Sequence, residues 1–135
     1  MSAPAVLRAA VLARLRDDPA IAVQRVIEGQ IPREAAVPLV QLRDVNAADW
    51  GTKDRAGREV RIGLAIRDAG DSGARVQAIG AAAESALLSL PAGLPGWRVV
   101  SAAPVRSSLF HEGGAGAGQR WTMLVDVRFR LLEDE

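Results

Sequence analysis

The segment FHEGGAGAGQRW, residues 110–121, places the only histidine of the chain, His111, beside four glycines: Gly113, Gly114, Gly116 and Gly118. Two chemistries could use such a stretch. A glycine-rich loop can bring backbone amides against a phosphate, and an imidazole that titrates near neutrality can serve as a general base. The phosphate reading fails on spacing. A Walker loop requires lysine and then Ser or Thr after its last glycine, but Gln119 and Arg120 follow Gly118. The dinucleotide fingerprint has glycines at relative positions one, three and six. Gly114 and Gly116 fill the first two, and Gln119 takes the last. Both motifs also need a helix directly after the loop, whereas the residues that follow here alternate like a strand. A general base needs a nucleophile or an orienting partner, and only Glu112 is recognisably near His111. The plain alternatives are a hairpin turn and a surface histidine at a strand end.

The remaining chemical inventory is thin. Asp44, Asp49 and Asp54 stand five apart, a spacing that matches no calcium loop, and turn chemistry accounts for Asp49 and Asp54. There is no cysteine, which excludes disulfides, thiolate metal sites and cysteine nucleophiles, and there is no tyrosine. These absences predict a protein without catalytic residues, cofactor or metal. Two features suit an interaction module better. Trp50, in ADWGTKDRAG, sits in a polar loop without an obvious core position. It either anchors an interface or folds back over a sheet. Arginines recur on alternate positions of two predicted strands, which suits ion pairing across subunits or, equally, a solvated face.

Composition sets the frame for those residues. The chain has 135 residues, of which 49% are hydrophobic and 24% charged, with a net charge of +1. That length suits one domain with a real core. Balanced charge argues against a nucleic-acid-binding surface, while leaving room for a local basic stripe. Arginine outnumbers lysine 16 to 1 without clustering, as a GC-rich genome would produce. No apolar run approaches the ~20 residues of a bilayer span, so no membrane association is expected. The start, MSAPAVLRAAVLARLRDD, lacks a basic opening and is interrupted by arginines, unlike a signal peptide, so a soluble intracellular protein is expected.

The elements that must position these residues follow from periodicity. Ser2 can cap a first helix that has Pro4 in its first turn. Leu7, Val11 and Leu15 share one face with Ala10 beside them, and Asp17, Asp18 and Pro19 end it. Residues 20–36 are ambiguous, with a short strand around Val26 and Ile27 ending at Gly29 as one option. Residues 37–45 predict a strand with Pro38 at its start, and residues 46–59 a long hairpin loop. Val60, Ile62, Leu64 and Ile66 then alternate with Arg61, Gly63, Ala65 and Arg67. The period shifts to about 3.6 in the next stretch. Asp71 or Ser72 can cap a helix whose face is Val76, Ile79, Ala83, Leu87 and Leu90, ended by Pro91 and Gly93. Gly80 costs that helix roughly 1 kcal/mol unless another backbone packs against it. A third strand runs from Trp97 to Phe110 with a break at Pro104. In the last strand Trp121, Met123, Val125, Val127, Phe129 and Leu131 point one way, and Arg120, Thr122, Asp126, Arg128 and Arg130 the other. The expected fold is α+β, in the order α-β-β-α-β-β: a four-stranded antiparallel sheet with two helices packed on one face.

The phrases AVLRAAVLARLRDDPAI, PLVQLRDVNAADWGTKDRAGREVRIGLAI, AAAESALLSLP and RWTMLVDVRFRLLEDE resemble the tail-completion, or tail-terminator, family of long-tailed phages, which also occurs in prophages and gene transfer agents. The resemblance spans nearly the whole chain as one domain, 1–135, and is most specific in DWGTK and the strand after it. It implies a subunit of a six-membered ring at the head-proximal end of the tail tube, in a particle assembled in the bacterial cytoplasm. The implied partners are other copies of the chain, the major tail tube protein and the head-completion (stopper) protein. DNA would pass through the lumen without sequence recognition. The implied contact residues are Asp49, Trp50, Gly51, Thr52 and Lys53, together with the hairpin of His111, Gly113, Gly114, Gly116 and Gly118. Two other readings stand beside it: a small enzyme with a site at His111, and a monomeric adaptor anchored by Trp50.

Overall fold

A computed structural model describes residues 1–134. Helix α1 (Ala3–Asp17) starts as its sequence dictates, with Ser2 Oγ accepting from the Ala5 amide at 3.3 Å and Pro4 in the first turn. It stops at Asp18, before Pro19. Strands β1 (Arg25–Glu28), β2 (Leu39–Asp49) and β3 (Gly57–Ala69) precede helix α2 (Ala74–Leu88). Strands β4 (Gly93–Leu94), β5 (Trp97–Gly113) and β6 (Arg120–Glu133) follow, with a 3-10 turn at Gly116–Gly118 between the last two.

The sheet has six strands in the order β1-β2-β3-β6-β5-β4, where four antiparallel strands were expected. The four long strands are the expected ones. The two additions are short strands at the margins: β1 runs parallel to β2, and β4 pairs two residues of β5. Val26 and Ile27 do form a strand, and Gly29 follows it at φ 77°. The loop after β2 is shorter than expected because pairing persists from Asn46↔Arg61 to Asp49↔Arg58. Turn-favouring residues there sit inside an exposed strand end.

Both helices lie on one face of the sheet. In β3 Val60, Ile62, Leu64 and Ile66 are fully buried, and in β6 Val125, Val127, Phe129 and Leu131 match them. Leu7, Val11 and Leu15 of α1 and Val76, Ile79, Ala83 and Leu87 of α2 complete the same core. Gly80 is explained by a side chain, since a Cβ there would meet Met123 Cγ at 2.7 Å. Trp97 and Trp121 are half-buried, and their indole N–H groups donate to the Met1 and Gly70 carbonyls at 3.0 and 3.1 Å. The expected cap of α2 is displaced: Gly73 is the N-cap, and Ser72 Oγ accepts from the Ala74 amide at 3.3 Å.

Asp68, at the end of β3, fixes the start of α2. Its carboxylate takes Arg75 Nε at 2.7 Å and Nη2 at 2.6 Å, and the Ala69 amide at 2.8 Å. The hydrogen bond from Arg75 holds the Asp68 carboxyl below its ordinary value, against the opposing effect of burial.

Two predictions follow from this packing. Phe129 is the largest fully buried side chain, and Phe129→Ala should cost about 3–5 kcal/mol in urea unfolding. A lowered carboxyl value means that Asp68 stabilises the fold above the ordinary carboxylate range, and that this is lost as pH falls through the folded-state value. Asp68→Asn should therefore be less stable than the parent at neutral pH. The gap should narrow in acid, and a gap independent of pH would rule out the ionic contribution.

Candidate interaction surface

The uncovered face of the sheet is built by the other half of each alternation. It presents Arg61 and Arg67 of β3, Arg128 and Arg130 of β6 and Arg106 of β5, with Arg43 at a bulge in β2. Carboxylates are interleaved with them. Asp126 receives Arg43 Nη2 at 2.7 Å and Arg106 Nη2 at 3.4 Å, and Arg43 Nε reaches Asp44 at 3.1 Å. Glu59 takes Arg130 Nε at 3.2 Å and lies 3.9 Å from Arg128 Nε. Glu112 takes Arg67 at 3.1 Å. Arg61, in contrast, has no ion pair among the described residues, and it stands directly opposite Arg128 across the β3–β6 ladder. Like charges facing each other are unfavourable within a subunit. Arg128 Nε is also buried without a hydrogen bond. Arg67 Nε, on the same face, is likewise buried without a hydrogen bond. Arg43, Arg61 and Arg106 with Asp44 and Asp126 line an open depression of about 420 Å³ here.

The close approach of these charges depends on Gly63. A Cβ at that position would meet Asp44 Oδ1, Arg43 Nη2 at 2.6 Å and Asp126 Oδ1 at 3.0 Å. The absent side chain is the space that the ion-pair cluster occupies.

The two loops expected to make contacts lie at opposite ends of the sheet. Asp49 ends β2 and Trp50, Gly51, Thr52 and Lys53 lie in the β2–β3 turn, while His111 and Gly113 end β5 and Gly114, Gly116 and Gly118 lie in the β5–β6 turn. Thirteen paired rows of β3 and β6 separate them, which at strand spacing is about 40 Å. In the first turn Asp49 Oδ1 accepts from the Gly51 amide at 3.3 Å and from Arg58 at 3.1 Å, and the Thr52 amide donates to the Arg55 carbonyl at 2.8 Å. Lys53 is exposed. Trp50 folds back, its ring 5.5 Å from the Arg130 guanidinium, so it is half-buried against the charged face. In the second turn Gly113, Gly114 and Gly116 all have positive φ. Gly114 has no alternative residue, because a Cβ would run into the Gly118 carbonyl. The run is thus a tight turn, closed by the Gly118 and Gln119 amides on the Ala115 and Gly116 carbonyls at 3.0 and 3.2 Å. The exposed His111 lies against Trp121 with ring centroids 4.7 Å apart, and its neighbour Glu112 turns to Arg67. Among the described residues no group of three His, Cys, Asp or Glu side chains is placed to hold a metal ion.

A feature that the sequence did not announce is the apolar character of β5. Val100, Val105, Leu109 and Phe110 are among the exposed large hydrophobic residues. Their spacing is broken by bulges at Val99/Ser101, Pro104/Arg106 and His111/Gly113, so no clean period marks them.

Gly63→Val should lower stability by about 1–3 kcal/mol through overpacking, with the sheet content by circular dichroism retained. Gly70→Ala, where an added Cβ meets nothing within 4 Å, is the control and should stay within about 0.5 kcal/mol. Equal losses at both positions would remove the role assigned to Gly63.

Comparison with known proteins gives two findings. Residues 9–132 match the family described as tail completion protein gp17. Among solved structures, a chain of the "Virion of native gene transfer agent (GTA) particle" superposes with a TM-score of 0.77 at 26% identity, covering 98% of this chain and 99% of that one. The curated proteins include no match. The family match takes in both helices, apart from the first turns of α1, and nearly all of the sheet, so the chain belongs to the tail completion protein gp17 family.

Proposed function

We propose that this chain is a structural subunit of a phage or phage-like particle that closes the tail. Six copies form a ring at the head-proximal end of the tail tube. The ring stops tube polymerisation and offers its other side to the head-completion (stopper) protein, while DNA passes through the lumen without being read. The observation that carries this reading is the family match over residues 9–132, joined by the end-to-end likeness to a chain of a gene transfer agent virion.

The geometry supports it in two ways. A link between tube and stopper needs two separate contact regions, and the DWGTK turn and the glycine turn stand at opposite ends of the sheet. The charged face also suits protein partners better than DNA. Phosphate binding draws on uncompensated cations, whereas most arginines here already face carboxylates. At His111 the imidazole lies against a tryptophan and the adjacent carboxylate is engaged by Arg67, an arrangement that fits a structural contact.

Native mass spectrometry of the chain, alone and with tail tube protein, should give a six-copy species. A strict monomer that touches neither tube nor stopper at high concentration would sink the proposal. His111→Ala should leave particle assembly near normal, whereas an activity lost with that change would favour an enzyme.

A further inference from the structure

The two margins of the sheet are both incomplete, and in complementary ways. β6 covers β5 along its inner side, but the outer side meets only β4, at Gly93↔Arg98 and Leu94↔Trp97, and the Ala92 carbonyl, which accepts from the Val99 amide at 2.7 Å. From Val100 to Gly113 that outer edge has no strand beside it among the described residues. At the other margin β1 covers β2 only along Leu39–Leu42, leaving Arg43–Asp49 bare. An unpaired edge presents a row of free N–H and C=O groups, a ready template for another strand.

We infer that neighbouring copies join edge to edge, β1 of one subunit adding antiparallel to β5 of the next, so that one sheet continues around the assembly. The inference rests on the ring reading above and specifies how its subunits meet.

Four observations select this occupant. The first is outline. Following the ladders across the sheet, Arg25–Glu28 stand level with Phe110–Ser107, where β5 is bare. β4 projects from the opposite margin just beyond the level of Asp49, where β2 is bare. Each margin thus has one step, at opposite ends, so β4 lies past the end of the neighbouring β2 and leaves the β1–β5 approach unobstructed. The second is polarity. β1 is parallel to β2, and three successive antiparallel pairings make β5 run against both. Rotation about an axis along the strands therefore brings β1 to β5 antiparallel, without inverting a subunit. Such a heterologous contact can close into a ring.

The third is regularity. Arg106–His111 is the longest stretch of β5 without a bulge, six residues in unbroken register, and it holds the apolar pair Leu109 and Phe110, one on each face. The fourth is charge. In the level register Arg25 falls opposite Phe110, two residues from Glu112 on the same face. Glu112 already holds Arg67, so this added pair fixes register more than it adds affinity.

The chain has no cysteine, so engineered cross-links are free of background. Directly opposed antiparallel residues have Cβ atoms about 4.5–5.5 Å apart, close enough for a disulfide after small adjustment. Glu28→Cys and Ser107→Cys chains, mixed and oxidised, should give a disulfide-linked pair containing one of each, and neither alone should cross-link. Phe110→Lys, which sets a like charge opposite Arg25 at a half-exposed position, should raise the concentration for half-assembly about tenfold or more while leaving the monomer folded. A ring by native mass without the mixed cross-link, or with Phe110→Lys assembling normally, overturns the edge pairing and leaves the ring reading intact. Ser107→Cys cross-linking to itself overturns it in favour of a two-fold β5–β5 contact. A chain that stays monomeric even with its tube partner overturns both.

Discussion

The alternation along β6 imposes a two-sided sheet on the whole molecule. Val125, Val127, Phe129 and Leu131 are fully buried on one side, so every intervening residue must face the other. With β6 at the centre between β3 and β5, the dry side recruits both helices, and two helices are enough to cover one face only. The wet side must then carry charge at high density on paired strands, where opposed side chains stand about 5 Å apart. Gly63 and the interleaved acids Asp126, Glu59 and Asp44 are the local answer, since they set carboxylates between guanidinium groups that would otherwise repel.

That answer is incomplete at Arg61 and Arg128. The two form one row with neutral flanks, Asn46 on one side and Ala103 on the other, and the carboxylate beside Arg128, Glu59, is shared with Arg130. A solvated arginine pair costs little, but a buried Nε without a partner costs more. The face is therefore nearly balanced by its own ion pairs, with its uncompensated positive charge concentrated at Arg61. Exposed ion pairs contribute little stability, so their density here speaks for register and recognition more than for holding the fold.

Periods are local, and what was legible in the sequence follows that rule. Both helices and the four long strands declare themselves because each buries one face of its own. β1 and β4 do not, because four and two residues become strands only through their partners. The end of β2 was hidden for a related reason. Asn46, Ala47, Ala48 and Asp49 are exposed whichever way they point, so alternation disappears although pairing continues. The glycine turn was readable as a turn from its missing lysine and the strand that follows. The folding back of Trp50 was not, since Arg130 lies 80 residues away in sequence and meets it only through the sheet.

Strand edges are the extreme case of this non-locality, because nothing in the period of β5 says whether a neighbour exists. Its own irregularities are nonetheless informative. Three bulges and Pro104 interrupt the edge, and Arg106 adds a charge beside it, which are the usual means of keeping an open strand from pairing indiscriminately. Those guards crowd the two ends and the middle, as far as Arg106, and spare the run from Ser107 to His111. A strand meant to remain solvated would gain nothing from leaving that window regular, nor from placing Leu109 and Phe110 within it. Interruption elsewhere with regularity here restricts any added strand to one short register. A closed assembly of identical subunits requires that restriction, because an edge permitting several registers would build open fibres instead of rings.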